Sequence, residues 1–310
     1  MPKHPLAELF GYPTDNFSPE VSGTEIVVNV ASVPKRSPFR YPGGKTWLVP
    51  RIRDWLASLE ERPSEFFEPF AGGGIVGLTV AFQGLADHVT MVEIDHQVAA
   101  VWQTILGGEA EWLAERIVNF SPTRESVERE LAKAAVSLGE QAFATILKNR
   151  TYHGGILAEG SAMIKHGENG KGISSRWYAD TLKKRILDIA AMRDHFTFIE
   201  GDGLDILRQQ AHRSDAVFFI DPPYTAGGKR AGSRLYTHFD LDHEALFHIA
   251  STLAGDFLMT YDDAEELRDL AKRYSFDTET IAMKNTHHAK MTELLVGRCL
   301  DWVRPAKWST

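Results

Sequence analysis

The run Ala216-Val217-Phe218-Phe219-Ile220 is apolar at every position and is stopped at once by Asp221-Pro222-Pro223-Tyr224. A strand without polar alternation is buried on both faces, which calls for a sheet covered by helices on each side. Proline lacks an N–H and its ring fixes φ near about −65°, so the carbonyls of Asp221 and Pro222 are held outward with no local amide to occupy them. Such a turn accepts hydrogen bonds and donates none. A planar NH2 group, such as the exocyclic amine of a nucleobase, can give one N–H to the Asp221 carboxylate and one to the Pro222 carbonyl while the Tyr224 ring stacks on the base. A plain strand end closed by prolines is the bland alternative, and the rest of the chain decides between them.

The surrounding pattern alternates strand and helix in the manner of a mostly parallel sheet. Strands are expected at 65–68, 88–93, 196–201, 216–220, 256–261, 276–283 and 292–298, and helices at 46–59, 75–83, 96–106, 204–210, 243–253 and 264–273. No helix fits between the last two strands, so they should pair as a hairpin with its loop near 285–289. Roughly ninety residues separate the second and third strands, far more than a usual crossover, and read as an insertion. It opens with helical sequence at 109–147, continues as a Gly-rich basic segment at 149–176 and closes on a helix at 179–193. The expected organisation is an arm at 1–38 with a possible edge strand at 25–30, a core in two parts at 39–105 and 195–310, and an inserted domain at 106–194.

The formal net charge of the 310 residues is −8, but its distribution matters more than its sum. Between Lys148 and Arg185 there are eight Lys and Arg against three acids, and Lys35, Arg36, Arg40, Lys45, Arg51 and Arg53 precede any acid in their stretch. Basic patches on an acidic body suit a phosphate backbone gripped at a chosen place, although a solvated surface explains them as well. One cysteine, Cys299, excludes a disulfide framework and a Cys-based zinc site, fits a cytoplasmic protein, and reads as a buried strand residue. Neither a signal peptide nor a membrane-spanning run is evident.

Glu68-Pro69-Phe70-Ala71-Gly72-Gly73-Gly74-Ile75-Val76-Gly77 satisfies G-x-G-x-x-G at 72, 74 and 77 between an expected strand and helix. Glycine lets this turn approach a ligand closely, and Glu93, ending the next strand, is placed to accept both hydroxyls of a ribose. An adenosine cofactor follows; dinucleotides and S-adenosylmethionine both use this arrangement. Asp202 either accepts an adenine N–H or caps the next helix, and capping is the default for Asp262 and Asp263. Gly44-Lys45-Thr46 is no P-loop, because Phe39 stands where glycine is required. Lys45 could instead pair a cofactor carboxylate. His243 and His248 are spaced too far apart for one helical face, adjacent His287 and His288 diverge, and no metal is expected.

Tyr41-Pro-Gly-Gly-Lys45, Glu68-Pro-Phe-Ala-Gly-Gly-Gly74, Asn149-Arg150-Thr151-Tyr152-His153-Gly154-Gly155 and Asp221-Pro-Pro-Tyr224, with Leu235-Tyr236, Phe239 and His243, together resemble the Dam-like (D12 class) adenine-N6 DNA methyltransferases. The resemblance covers roughly residues 39–303, and the order of motifs makes it specific. It implies a Rossmann-like α/β fold of sheet order 3-2-1-4-5-7-6, with a target-recognition domain inserted after the second strand. Carried over by motif, Tyr41, Lys45, Phe70, Gly72, Gly74, Glu93, Asp202 and Asp221 would contact S-adenosylmethionine, while Asp221, Pro222 and Tyr224 would hold a flipped base. Double-stranded DNA is the implied partner, met by Arg150, Tyr152, Lys165, Lys171, Arg176, Lys229 and Arg230, and the resemblance admits a cognate restriction endonuclease. The target amine would attack the sulfonium methyl directly, so catalysis would rest on positioning and electrostatics. An N4-cytosine or ribosomal-RNA adenine methyltransferase would use the same turn. A nicotinamide-dependent oxidoreductase would explain the glycines and Glu93 but leaves Asp221 and the basic insertion idle. The arm at 1–37 has no counterpart in the family.

Overall fold

A computed structural model describes residues 33–41, 43–167, 170–223, 241–284 and 290–304. Along the chain run α1 (Val49–Ser58), β1 (Glu65–Glu68), α2 (Ile75–Gln83), β2 (His88–Glu93), α3 (His96–Leu106), α4 (Ala110–Val118), α5 (Arg124–Leu131), α6 (Leu138–Thr151), α7 (Ala179–Ala191), β3 (Phe196–Glu200), α8 (Gly203–Gln210), β4 (Ala216–Ile220), α9 (His243–Thr252), β5 (Asp256–Asp262), α10 (Glu265–Arg273), β6 (Asp277–Lys284) and β7 (Lys290–Gly297). The strands form one seven-stranded sheet of order β3-β2-β1-β4-β5-β7-β6. β1, β2, β3, β4 and β5 are parallel, whereas β7 runs antiparallel to both β5 and β6. This is the Rossmann-like order the motifs implied, with the hairpin in the expected place; its loop at 285–289, residues 1–32 of the arm with the possible edge strand at 25–30, Tyr224, Lys229, Arg230, Leu235, Tyr236 and Phe239 lie outside the described residues.

Period-two alternation within buried strands divides two cores across the sheet. Phe66, Val217 and Phe219 face one, with Leu48, Ile52, Trp55 and Trp102; Phe67, Phe218 and Ile220 face the other, with Leu246, Phe247 and Tyr261. The first core continues without interruption into Leu113, Phe143, Ile146 and Ile186 of α4, α6 and α7. The insertion therefore packs its apolar faces on the sheet side of the molecule, α6 lying against α3 and α4 against α7.

Several local expectations are corrected. The helix expected at 46–59 begins as a 3-10 turn at Thr46–Leu48, because Pro50 restarts the hydrogen-bond pattern at α1. The 109–147 stretch is three helices, α5 and α6 each opening on a side-chain cap, Thr123 accepting from Ser126 N–H and Ser137 from Glu140 N–H. Ala264, not Asp262 or Asp263, is the N-cap of α10; Asp263 instead pairs with Arg268 at 2.7 Å. Cys299 is exposed, since β7 ends at Gly297.

Candidate active site

The carboxyl ends of β1 and β4 are neighbours at the point where the strand order reverses, the place where open α/β sheets hold ligands. Gly72 follows β1 with φ +47°, and a Cβ there would come within 2.6 Å of the Tyr41 ring, so the bare backbone is what lets Tyr41 lie on the turn. Gly74 caps α2 at φ +61°. Trp102 Nε1–H donates to Gly72 O at 3.0 Å, and Glu93 Oε2 accepts from Gly72 N–H at 2.8 Å. Its Oε1 accepts from Asp95 N–H at 2.8 Å. Glu93 thus ties the end of β2 to the glycine turn. Burial, only partly offset by these amides, pushes its carboxyl up to about 7. Glu68 is likewise pushed up to about 8, mainly by burial, while accepting from Gly77 N–H at 2.8 Å.

Phe70 is half-buried beside this turn. Gly203, after β3, approaches so closely that a Cβ would stand 2.3 Å from Pro69 O, which brings Asp202 to the same rim. Asp202 is exposed and caps α8 through Oδ1, accepting from Leu204 N–H at 2.8 Å. The capping alternative is therefore realised, on one of its two oxygens.

At the end of β4, Asp221 is half-buried and Pro222 buried. Asp221 Oδ1 accepts from Thr260 Oγ1 at 2.7 Å and lies 2.9 Å from Lys45 Nζ. Lys45 is also 3.1 Å from Glu293 Oε1 and donates to Gly43 O at 3.0 Å. Among the described residues, Asp221, Glu293 and the Gly43 carbonyl thus surround the ammonium that was expected to pair a cofactor carboxylate. Burial opposes the Lys45 charge, yet Asp221 and Glu293 outweigh it and raise its pKa above the ordinary value. Tyr261, on β5, is buried with its hydroxyl 3.2 Å from His243 Nδ1; burial first and Asp221 second raise its pKa. Thr260, Tyr261 and Glu293 were missed from sequence. The available signal was a lone acid leading the apolar run Leu294-Leu295-Val296.

The residues expected to meet DNA separate into two groups. Lys165 and Lys171 are exposed, and Arg176 and Tyr152 half-buried, on the segment between α6 and α7. Arg150 departs from the expectation: it is 4% exposed, it donates through Nη2 to Pro38 O, and burial with Arg185 and Arg40 nearby pushes its pKa down to about 9. Its guanidinium packs inward, fastening the chain ahead of Tyr41. Arg185 Nη1 donates to Ser37 O at 3.0 Å. Asn149 completes the latch, accepting from Arg40 N–H at 2.9 Å and donating to Arg40 O at 3.1 Å and Gly155 O at 2.7 Å. Among the described residues no helix is long and apolar enough to cross a membrane, and no group of three or more His, Cys, Asp or Glu could hold a metal ion.

A family model described as D12 class N6 adenine-specific DNA methyltransferase matches residues 41–286. Among solved structures, the chain is similar to a Pyrococcus horikoshii protein provisionally assigned as an RNA methyltransferase, at 12% identity and TM-score 0.40, covering 86% of this chain and 94% of that one. A methyltransferase from Geobacter sulfurreducens aligns at 13% identity and TM-score 0.36, over 84% of this chain and 80% of that one. The precorrin-6y C5,15-methyltransferase of Geobacter metallireducens aligns at 9% identity and TM-score 0.33, over 83% and 92%. No curated protein matches the sequence.

Proposed function

Because this chain belongs to the D12 class N6 adenine-specific DNA methyltransferase family, we propose that it transfers a methyl group from S-adenosylmethionine to the exocyclic amine of an adenine flipped out of double-stranded DNA. One observation carries the reading: Asp221, at the end of a buried strand and followed by two prolines, is held by Thr260 and Lys45 beside the glycine turn of the neighbouring strand. A fixed acceptor next to a glycine turn is what an amine-directed transfer needs.

The residues present fit the cofactor. A buried carboxyl ends β2, a glycine turn leaves room for close approach, and the Tyr41 ring lies on that turn. Tyr41, Lys45, Phe70, Gly72, Gly74, Glu93 and Asp202 would hold it, with Asp221 facing it across the switch point. S-adenosylmethionine, when bound, supplies a methyl group on a positively charged sulfur. Asp221 and the Pro222 carbonyl accept the two N–H bonds of the target amine and so aim its nitrogen lone pair, while Tyr224 stacks on the base. Asp221 need not be a strong base, since the nitrogen becomes acidic once methylated. Residues 106–194 form the target-recognition part, gripping the backbone through Lys165, Lys171 and Arg176 with Tyr152, joined by Lys229 and Arg230. A cytoplasmic setting accords with this role.

The test is the product. Unmethylated plasmid DNA incubated with the protein and S-adenosylmethionine, then digested to nucleosides, should yield N6-methyldeoxyadenosine. Asp221→Ala should lower the transfer rate by about 10²- to 10³-fold, the loss typical when one preorganised polar group is removed. N4-methyldeoxycytidine, methylation of ribosomal RNA offered in parallel while the DNA stays unmodified, or near-normal transfer by Asp221→Ala would each overturn the assignment.

A further inference from the structure

A glutamate inside an apolar strand is costly unless its charge has a partner. Glu293 is 2% exposed, and Leu294, Leu295 and Val296 after it are fully buried. Its partner is the Lys45 ammonium at 3.1 Å, which lies equally close, at 2.9 Å, to Asp221. Sheet geometry brings these groups together. On β4 Asp221 shares the face of Val217 and Phe219, on β5 Thr260 shares that of Leu258, and on β7 Glu293 shares that of Leu295, all members of one core. Thr260 pairs with Leu295 and Asp262 with Glu293, so Thr260 and Glu293 are diagonal neighbours across the β5/β7 ladder. The loop ahead of α1 covers the same face and lowers Lys45 between them.

Among the described residues one cation therefore serves two carboxylates. A hydrogen bond to an ionised group is about twice as strong as a neutral one, so the Glu293 carboxylate holds the far side of the ammonium more firmly than an amide would. Glu293 thereby fixes where Lys45 sits, while Thr260 and Lys45 both anchor Asp221 through Oδ1. Resting on the reading of Asp221 as the amine acceptor, we propose that Glu293 is a positioning residue for methyl transfer, acting through Lys45 to keep Asp221 fixed.

The experiment is a double-mutant cycle in the full-length protein, with single-turnover transfer to plasmid DNA at saturating S-adenosylmethionine and calorimetric binding of S-adenosylhomocysteine. Glu293→Gln is isosteric and still accepts from Lys45. It should lower the transfer rate about tenfold or more, as when the partner orienting a functional group is removed, with unchanged affinity for S-adenosylhomocysteine and an unchanged far-UV spectrum. In a Lys45→Met background the same substitution should cost no further rate, because the two act as a unit. Equal losses in both backgrounds, or a wild-type rate for Glu293→Gln, would overturn the role. Should Lys45→Met fail to fold, Lys45→Arg keeps the charge, and there Glu293→Gln must again slow transfer or the proposal falls. Wild-type protein is assayed alongside: DNA it leaves unmethylated overturns the amine-acceptor reading and this inference together, whereas transfer by wild type and Glu293→Gln alike overturns the inference alone.

Discussion

Glu68 and Glu93 each move from an ordinary carboxylate value of 4.5, to about 8 and about 7, with burial the leading cause in both. Folded protein then binds more protons at these sites than unfolded protein does between pH 4.5 and about 8. Under that inequality stability falls as pH rises through the window. Glu68→Gln keeps an acceptor for Gly77 N–H and removes the titration, so the decline in midpoint temperature across the upper part of the window should flatten. Thermal unfolding at a series of pH values checks this, and an unaltered profile would locate the titration elsewhere. The sequence revealed Glu93 and Asp221 because each ends a strand next to a turn of unusual composition. It hid the partners of Lys45, since the ion pair with Glu293 joins a loop to the last strand and no local spacing encodes it.

The segment between α6 and α7 is the element on which DNA recognition depends in our reading. Lys165 and Lys171 are both exposed. Replacing both with alanine should weaken DNA binding and reduce its log-log salt slope by about 0.9 for each phosphate that a lysine no longer neutralises, without changing cofactor affinity. Titrations over a range of salt concentrations decide it, and an unchanged slope would remove these lysines from the interface. Arg150, by contrast, belongs to the latch on residues 37–40, and its basic character in sequence gave no hint of that. Charge counts report how many cations a segment holds, not which of them turn inward to satisfy backbone carbonyls. Strand positions were legible to within a residue or two because their apolar runs are short and end at Gly, Pro or acids. The three helices of 109–147 were merged because Thr123 and Ser137, good N-caps both, lie within an otherwise helical composition.

At the scale of the whole molecule, the insertion and the sheet share one core: Trp102 of α3, Phe143 of α6 and Ile186 of α7 belong to it together. Urea unfolding followed by tryptophan fluorescence and by far-UV circular dichroism should therefore give one coincident transition, Trp55, Trp102 and Trp177 all being buried reporters on that core. Two separated transitions would make residues 106–194 an autonomous unit. The sheet order also carries a kinetic consequence. Glu65 pairs with Ala216, and the whole insertion lies in the chain between them. During synthesis the glycine turn emerges long before the strand that completes its cleft, so the central strand must wait with one edge open. Closing so long a loop is entropically slow, and an exposed parallel edge is a site for misassociation. Refolding from urea should accordingly be slow and sensitive to protein concentration, with the acquisition of S-adenosylhomocysteine binding among its last steps.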